Sequence, residues 1–107
     1  KRQGDAWSPE GLLVASVADC FILTFRAMAR ASKLEWSSLS CNASGTLDKL
    51  DKVTQFTQFD LSAELTIPPD TDERKAERLL QRAEHHCLIT NSLKAGSTLE
   101  TTVITAA

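Results

Sequence analysis

The chain has 107 residues, 42% of them hydrophobic, which fits a single domain over residues 1–107 with one hydrophobic core. The formal net charge is −2 and the basic residues form no stripe, which argues against a nucleic-acid partner. Three cysteines, an odd number, and the lack of a signal peptide exclude a secreted disulfide framework, so we expect a cytoplasmic protein.

The first predicted element is a helix from about Pro9 to Ala31. Ser8 is a favourable N-cap, Pro9 suits the first helical position, and Glu10 complements the helix dipole. The helix is apolar around most of its circumference, which indicates that it is enclosed on nearly all sides. Because polar residues interrupt it, it falls short of the roughly 20 apolar residues that cross a bilayer, and we expect no membrane span.

An antiparallel hairpin of two strands is predicted next. The first strand contains Leu39, Cys41 and Ala43 in alternation with polar residues, and the second runs from Phe59 to Ile67 with the same alternation. Residues 45–52 are rich in Asp and Lys, and they are predicted to form a polar connection.

A second helix and a last strand complete the predicted order. Pro68 and Pro69 end the second strand, and Asp70 with Glu73 is expected to form a capping box. Gly96 precedes a strand from Thr98 to Thr105. The order αββαβ predicts an α+β domain. The inward face of the second helix is predicted from apolar residues at helical spacing: Ala76, Leu79, Leu80, Ala83 and, at the helix end, Cys87.

Cys20 and Cys87 lie on the apolar surfaces of the two helical segments, a setting that suits a redox thiol pair. A thiol must ionise to attack, and Arg26 lies about 9 Å further along the helix, so another segment or subunit must stabilise the thiolate. An ionised cysteine attacks a peroxide to give a sulfenic acid, and a second thiol condenses with it. Alternatively, a buried cysteine is simply a small hydrophobic residue, as we interpret Cys41.

Two other interpretations concern metals and a ligand pocket. His85, His86 and Cys87 carry zinc-binding atoms, but adjacent helical residues diverge and no second ligand pair follows, so we expect no metal and no cofactor. The aromatic residues belong to the core or line an apolar substrate pocket: Trp7, Phe21, Phe25, Trp36, Phe56 and Phe59.

Two segments of the chain resemble the OsmC/Ohr family of organic hydroperoxide reductases. Ser8 to Leu13, followed by Ala18 to Phe21, resembles a family pattern in which a cysteine follows a Pro-Glu helix start by ten residues. Ala83 to Leu93 resembles the family's Ala-Glu-x-x-Cys helix end with its following Asn and Leu. The resemblance covers nearly the whole chain, and it implies an OsmC-like domain that lacks its N-terminal strands.

The resemblance also implies an architecture and a set of site residues. The expected fold has a long central buried helix, an antiparallel sheet and an intertwined homodimer with sites between subunits. Cys20 would be the peroxidatic thiol, Cys87 the resolving thiol, and Glu10 the acid that orients an active-site arginine. Ten residues of helix separate Glu10 from Cys20 by about 15 Å, so Glu10 is expected to serve the Cys20 of a second copy.

Two points about this implied site stay open. Glu10 is alternatively a first-turn acid that only complements the helix dipole. No arginine is assigned, because Arg2 lies too close to the Pro-Glu motif to match the family's upstream arginine.

Two functions follow as alternatives. In the first, the protein is a thiol peroxidase that reduces organic hydroperoxides, with a dithiol reductant that regenerates the thiols of Cys20 and Cys87. In the second, it is a catalytically inactive OsmC-like dimer that binds a small apolar ligand. An activating arginine upstream of Pro9 would favour the first function.

Overall fold

A computed structural model describes residues 8–106. The elements in chain order are α1 (Pro9–Ser32), β1 (Ser38–Leu50), β2 (Val53–Ile67), α2 (Glu73–His85), α3 (Leu88–Asn91) and β3 (Gly96–Thr105). The α+β class and the predicted order are confirmed, and the four-residue helix α3 is added between α2 and β3.

The three strands form a mixed sheet with the order β1-β2-β3. β1 and β2 pair antiparallel, as expected for a hairpin. β3 pairs parallel with β2, starting with Gly96 beside Gln58, so the expected antiparallel sheet holds only for the hairpin. The reason is that α2 and α3 carry the chain back along β2, and a connection of this kind makes the next strand parallel.

The hairpin is longer than predicted. β1 continues to Leu50, and only Asp51 and Lys52 form the turn, with φ values of 49° and 67°. Two central residues with positive φ are typical of the tight turn that best matches the twist of paired strands. The polar connection predicted over residues 45–52 is therefore wrong, since most of these residues belong to β1. The strand was not recognised there because this end of the hairpin is exposed and shows no alternation of burial.

Helix α1 begins where the sequence predicts. The Ser8 hydroxyl accepts a hydrogen bond from the Gly11 N–H at 3.0 Å, and Lys33 ends the helix in the left-handed conformation with φ 59°. One stripe of α1 packs into the core: Val17, Phe21, Phe25 and Ala29. On other faces Leu12 is 49% and Leu23 53% exposed. Within one chain α1 is therefore covered along one stripe only, as expected for so apolar a helix in a chain of 107 residues, which can scarcely enclose it alone.

Helix α1 is more apolar over its length than expected from the polar residues that interrupt it. Within residues 8–106 it is the one helix that is long and apolar enough to cross a membrane, judged by length and composition. That test is weak evidence for a span, since the core helix of a soluble protein also passes it. In this fold the buried stripe of α1 packs in the same core as β2 and α2.

The N-cap of helix α2 lies two residues after the predicted one. The carboxylate of Asp72, not of Asp70, accepts the N–H groups of Arg74 at 2.9 Å and Lys75 at 3.3 Å. A turn closed by the Thr71 N–H and the Pro68 carbonyl at 3.1 Å delays the helix start. The predicted inward face is confirmed, because Ala76, Leu79, Leu80 and Ala83 are all buried.

Three hydrogen bonds join α2 to β3. In each, a hydroxyl of β3 donates to a glutamate of α2. The pairs are Ser97 to Glu84 at 2.5 Å, Thr101 to Glu77 at 2.6 Å, and Thr105 to Glu73 at 2.8 Å. Hydrogen bonds to charged groups are stronger than neutral ones, so this row fixes the edge strand against the helix.

Candidate active site

The fold brings Cys20 and Cys87 together. Cys20 lies in the middle of α1 and is half-buried, whereas Cys87 lies between α2 and α3 and is 1% exposed. The two thiols are neighbours, and an interaction in which the Cys87 thiol donates to the sulfur of Cys20 lowers the pKa of Cys20 and raises the pKa of Cys87. All three cysteines of the chain are free thiols. Two segments far apart in sequence thus place two thiols close enough to shift each other's pKa.

The surroundings of Cys20 favour its thiolate. Burial alone would raise its pKa. The backbone N–H groups of Ile89 and Leu88, the Cys87 thiol and the Thr24 hydroxyl, whose oxygen is 3.9 Å from the sulfur, more than offset burial and lower the pKa of Cys20 below its ordinary value. Neutral donors at the start of α3 therefore help to stabilise the Cys20 thiolate, a role for which the sequence analysis had considered a cation.

Cys87 has the opposite tendency. Burial raises the pKa of Cys87, and its hydrogen bond to Cys20 and the charge on Cys20 raise it further. The backbone and side chain of Thr90 partly offset these effects. The two thiols are therefore unequal, since Cys20 ionises first while Cys87 keeps its proton and donates it in a hydrogen bond.

Cys41 lies outside the hydrogen-bonded pair. It is opposite Ala63 in the β1–β2 pairing and packs against the core. Burial, followed by the charge on Cys87, raises the pKa of Cys41 to about 11. A thiol with this pKa is almost fully protonated at neutral pH, which agrees with the structural interpretation of Cys41.

The three thiols are expected to react with iodoacetamide over different pH ranges. Because only the thiolate reacts, Cys20 should be alkylated at a lower pH than an ordinary thiol, and Cys41 only as the pH approaches its pKa of about 11. Pulsed alkylation across a pH series, with mass spectrometry of the cysteine peptides, measures each midpoint. Thr24→Val should raise the Cys20 midpoint by removing one donor, and equal midpoints for Cys20 and Cys41 would contradict this assignment.

A groove of about 600 Å³ opens beside Cys20 on the exposed side of α1. Its lining residues are Cys20, Leu23, Thr24, Ala27, Met28, Arg82, His86 and Leu88. We call this cavity the Cys20 groove. Arg82 was not among the residues predicted for the site, although Arg82 and His86 are four residues apart just before Cys87 and so share one side of the α2 end.

Glu10 is not part of this arrangement within one chain. It is exposed in the first turn of α1, and the unbroken helix places it about 15 Å along the axis from Cys20. The structure thus brings together two of the three predicted site residues. Arg2 lies outside the described residues.

The aromatic residues do not line the Cys20 groove. Phe21, Phe25 and Phe59 are fully buried core residues, and the Trp36 ring packs edge-on against Phe25 with the ring centroids 5.7 Å apart. Phe59 also lines, with Phe56, a separate cavity of about 170 Å³. Trp7 lies outside the described residues. The space beside Cys20 is therefore bounded mainly by aliphatic side chains, together with Arg82 and His86, and by none of the Phe or Trp residues that the structure describes.

No metal-binding cluster is found in residues 8–106. Within this range, no group of three or more His, Cys, Asp or Glu side chains is arranged to hold a metal ion. The rings of His85 and His86 contact each other edge-to-face, with centroids 5.2 Å apart.

A family model and a curated protein that match this chain both belong to the same family. A family model described as OsmC-like protein matches residues 2–102. The chain is 29% identical to Peroxiredoxin OsmC of Escherichia coli over 93 residues, which cover 87% of this chain and 64% of that protein.

Solved structures show the same fold. An OsmC-like protein of unknown function from Vibrio cholerae matches with a TM-score of 0.77 and 26% identity, over 87% of this chain and 62% of that chain. An organic hydroperoxide resistance protein OsmC from Legionella pneumophila matches with a TM-score of 0.74 and 23% identity, over 95% of this chain and 72% of that chain. The chain spans less than two thirds of the length of the Escherichia coli and Vibrio cholerae proteins.

Proposed function

Because this chain belongs to the OsmC-like protein family, we propose that it is a cysteine-based thiol peroxidase that reduces organic hydroperoxides. The name of the Escherichia coli relative, Peroxiredoxin OsmC, supports a redox role related to peroxides. The main support for the proposal is that neutral donors, including a second thiol, lower the pKa of the Cys20 thiol. This pairing suits a peroxidatic cysteine with its resolving partner.

In the first step, the thiolate sulfur of Cys20 attacks the terminal oxygen of the hydroperoxide. A bond forms between sulfur and that oxygen, the O–O bond breaks, and the leaving alkoxide takes a proton to become an alcohol. Cys20 is oxidised to a sulfenic acid while the peroxide is reduced. Thr24 and the N–H groups of Leu88 and Ile89 hold the sulfur in its reactive, ionised form.

In the second step, the sulfur of Cys87 attacks the sulfur of the Cys20 sulfenic acid. The disulfide forms, the proton of the Cys87 thiol joins the departing hydroxide, and water leaves. A dithiol reductant then restores both thiols by two exchanges and leaves as its own disulfide. The raised pKa of Cys87 fits this order, because its thiol stays protonated until the sulfenic acid has formed.

A second copy of the chain completes the proposed site. The exposed apolar residues Leu12 and Leu23 leave part of α1 uncovered, and a second α1 packed antiparallel would cover them. In that arrangement Glu10 of each copy serves the Cys20 of the other, which the separation of about 15 Å forbids within one straight helix. The proposed assembly is therefore a homodimer with two sites at its seam.

The test is peroxide consumption by the purified protein with dithiothreitol as reductant. Cumene hydroperoxide is expected to be consumed faster than hydrogen peroxide, because the aliphatic lining of the Cys20 groove binds an apolar substituent. Peroxide loss and alcohol formation are followed together, since the mechanism yields one alcohol for each peroxide. Failure to consume either peroxide would favour the second candidate, an inactive dimer that binds a small apolar ligand in the same groove.

A further inference from the structure

The Cys20 groove contains a positive charge that nothing in the described chain neutralises. Arg82 lines the groove, and its guanidinium has no hydrogen-bond or ion-pair partner among residues 8–106. Most of the other lining is apolar, from Leu23, Ala27, Met28 and Leu88, and no carboxylate lies among the described lining residues. An apolar wall with one placed charge is the usual composition of a site that orients a small molecule.

The charge of Arg82 is not directed at the thiol. The groups that change the pKa of Cys20 are its own burial and the donors of Ile89, Cys87, Thr24 and Leu88. Arg82 is not among them, although it borders the same cavity. Its guanidinium is therefore available to a molecule that occupies the groove while the reacting end of that molecule lies at Cys20.

We propose that Arg82 is a specificity-determining residue that binds an anionic group carried by the organic hydroperoxide. The apolar chain of the substrate lies along Ala27 and Met28, and it connects the anionic group at Arg82 to the peroxide at Cys20. The planar guanidinium favours this role, because it donates two parallel hydrogen bonds to a carboxylate. This inference rests on the proposed peroxidase function.

The test compares two hydroperoxides that differ only in charge, the hydroperoxide of linoleic acid and that of its methyl ester. kcat/KM is measured for both, and for cumene hydroperoxide, with the full chain and with Arg82→Gln. Arg82→Gln is expected to lower the acid-to-ester ratio of kcat/KM about fivefold, the effect of one partly exposed ion pair. Arg78→Gln is the matched control, since Arg78 is exposed one turn earlier on α2 and lies outside the groove.

The remaining outcomes separate this inference from the function on which it rests. An unchanged acid-to-ester ratio in Arg82→Gln would overturn the role of Arg82, even if all three peroxides are consumed. An equal loss for all three peroxides would also overturn it, because Arg82 would then act on the thiolate rather than on the substrate. If the unaltered protein consumes none of the three, the proposed function and this inference both fail.

Discussion

Replacing Cys20 with Ser is expected to lower the consumption of cumene hydroperoxide on the order of a thousandfold, because a serine hydroxyl does not ionise in this setting and is a poor nucleophile. Cys87→Ser is expected to give a different defect. Its first turnover should proceed, but the sulfenic acid of Cys20 then finds no second thiol and is oxidised further by excess peroxide. The two variants thus separate the attacking thiol from the resolving thiol.

Two readouts test this pair of variants. Peroxide loss is measured under multiple turnover, and the mass of the Cys20 peptide is measured after exposure to excess peroxide. Cys41→Ser serves as the control, because Cys41 lies outside the pair and its pKa is raised to about 11. Turnover by Cys87→Ser at the unaltered rate, without over-oxidised Cys20, would show that Cys87 is not the resolving thiol.

A mixture of two inactive variants, Glu10→Gln and Cys20→Ser, is expected to regain activity when their subunits are exchanged. In a mixed dimer, Cys20 of the Glu10→Gln chain faces the intact Glu10 of its partner, which rebuilds one complete site. Random exchange makes about half of the dimers mixed, each with one working site of two, so the mixture should reach about a quarter of the unaltered activity.

The two variants are co-expressed with different affinity tags, and the doubly tagged dimer is purified; since every such dimer is mixed, it should reach about half of the unaltered activity. Each variant dimer prepared alone is the matched control and should stay inactive. If the mixed dimer is as inactive as its parents, Glu10 does not act across the seam. If Glu10→Gln alone keeps full activity, Glu10 has only the first-turn role of complementing the helix dipole.

The first helix could be predicted closely from the sequence because its signals are local. Ser8 caps the helix and Pro9 occupies its first turn, and the observed end at Ser32 lies one residue beyond the predicted Ala31. The inward face of α2 was also predicted, since it depends on a repeat of apolar residues within one segment.

Features that depend on contacts between segments were missed. The parallel pairing of β3 follows from the path of α2 and α3, which no local pattern records. The outer part of the hairpin was interpreted as a polar connection, because strands exposed on both faces lose the alternation by which strands are recognised. The cap at Asp72 was missed because a turn at Pro68 intervened before the helix start.

The candidate site was also predicted only in part. Cys20 and Cys87 were selected from the sequence, and the structure places them as neighbours. The donors at the start of α3 were not predicted, because they are backbone N–H groups, which every residue except proline carries and no side-chain pattern reveals. Arg82 resembled any exposed arginine of a helix until the fold placed it beside Cys20.

From the parallel pairing of β2 with β3 we also expect a particular order of folding. The β1–β2 hairpin closes through a two-residue turn, whereas Gly96 reaches Gln58 only after the whole α2–α3 segment is in place. Contacts between distant residues form slowly, so we expect β3 to join last. Cys87 and the donors of α3 lie in the connection between the hairpin and that last strand, so we expect the thiol of Cys20 to become activated only after the hairpin has formed.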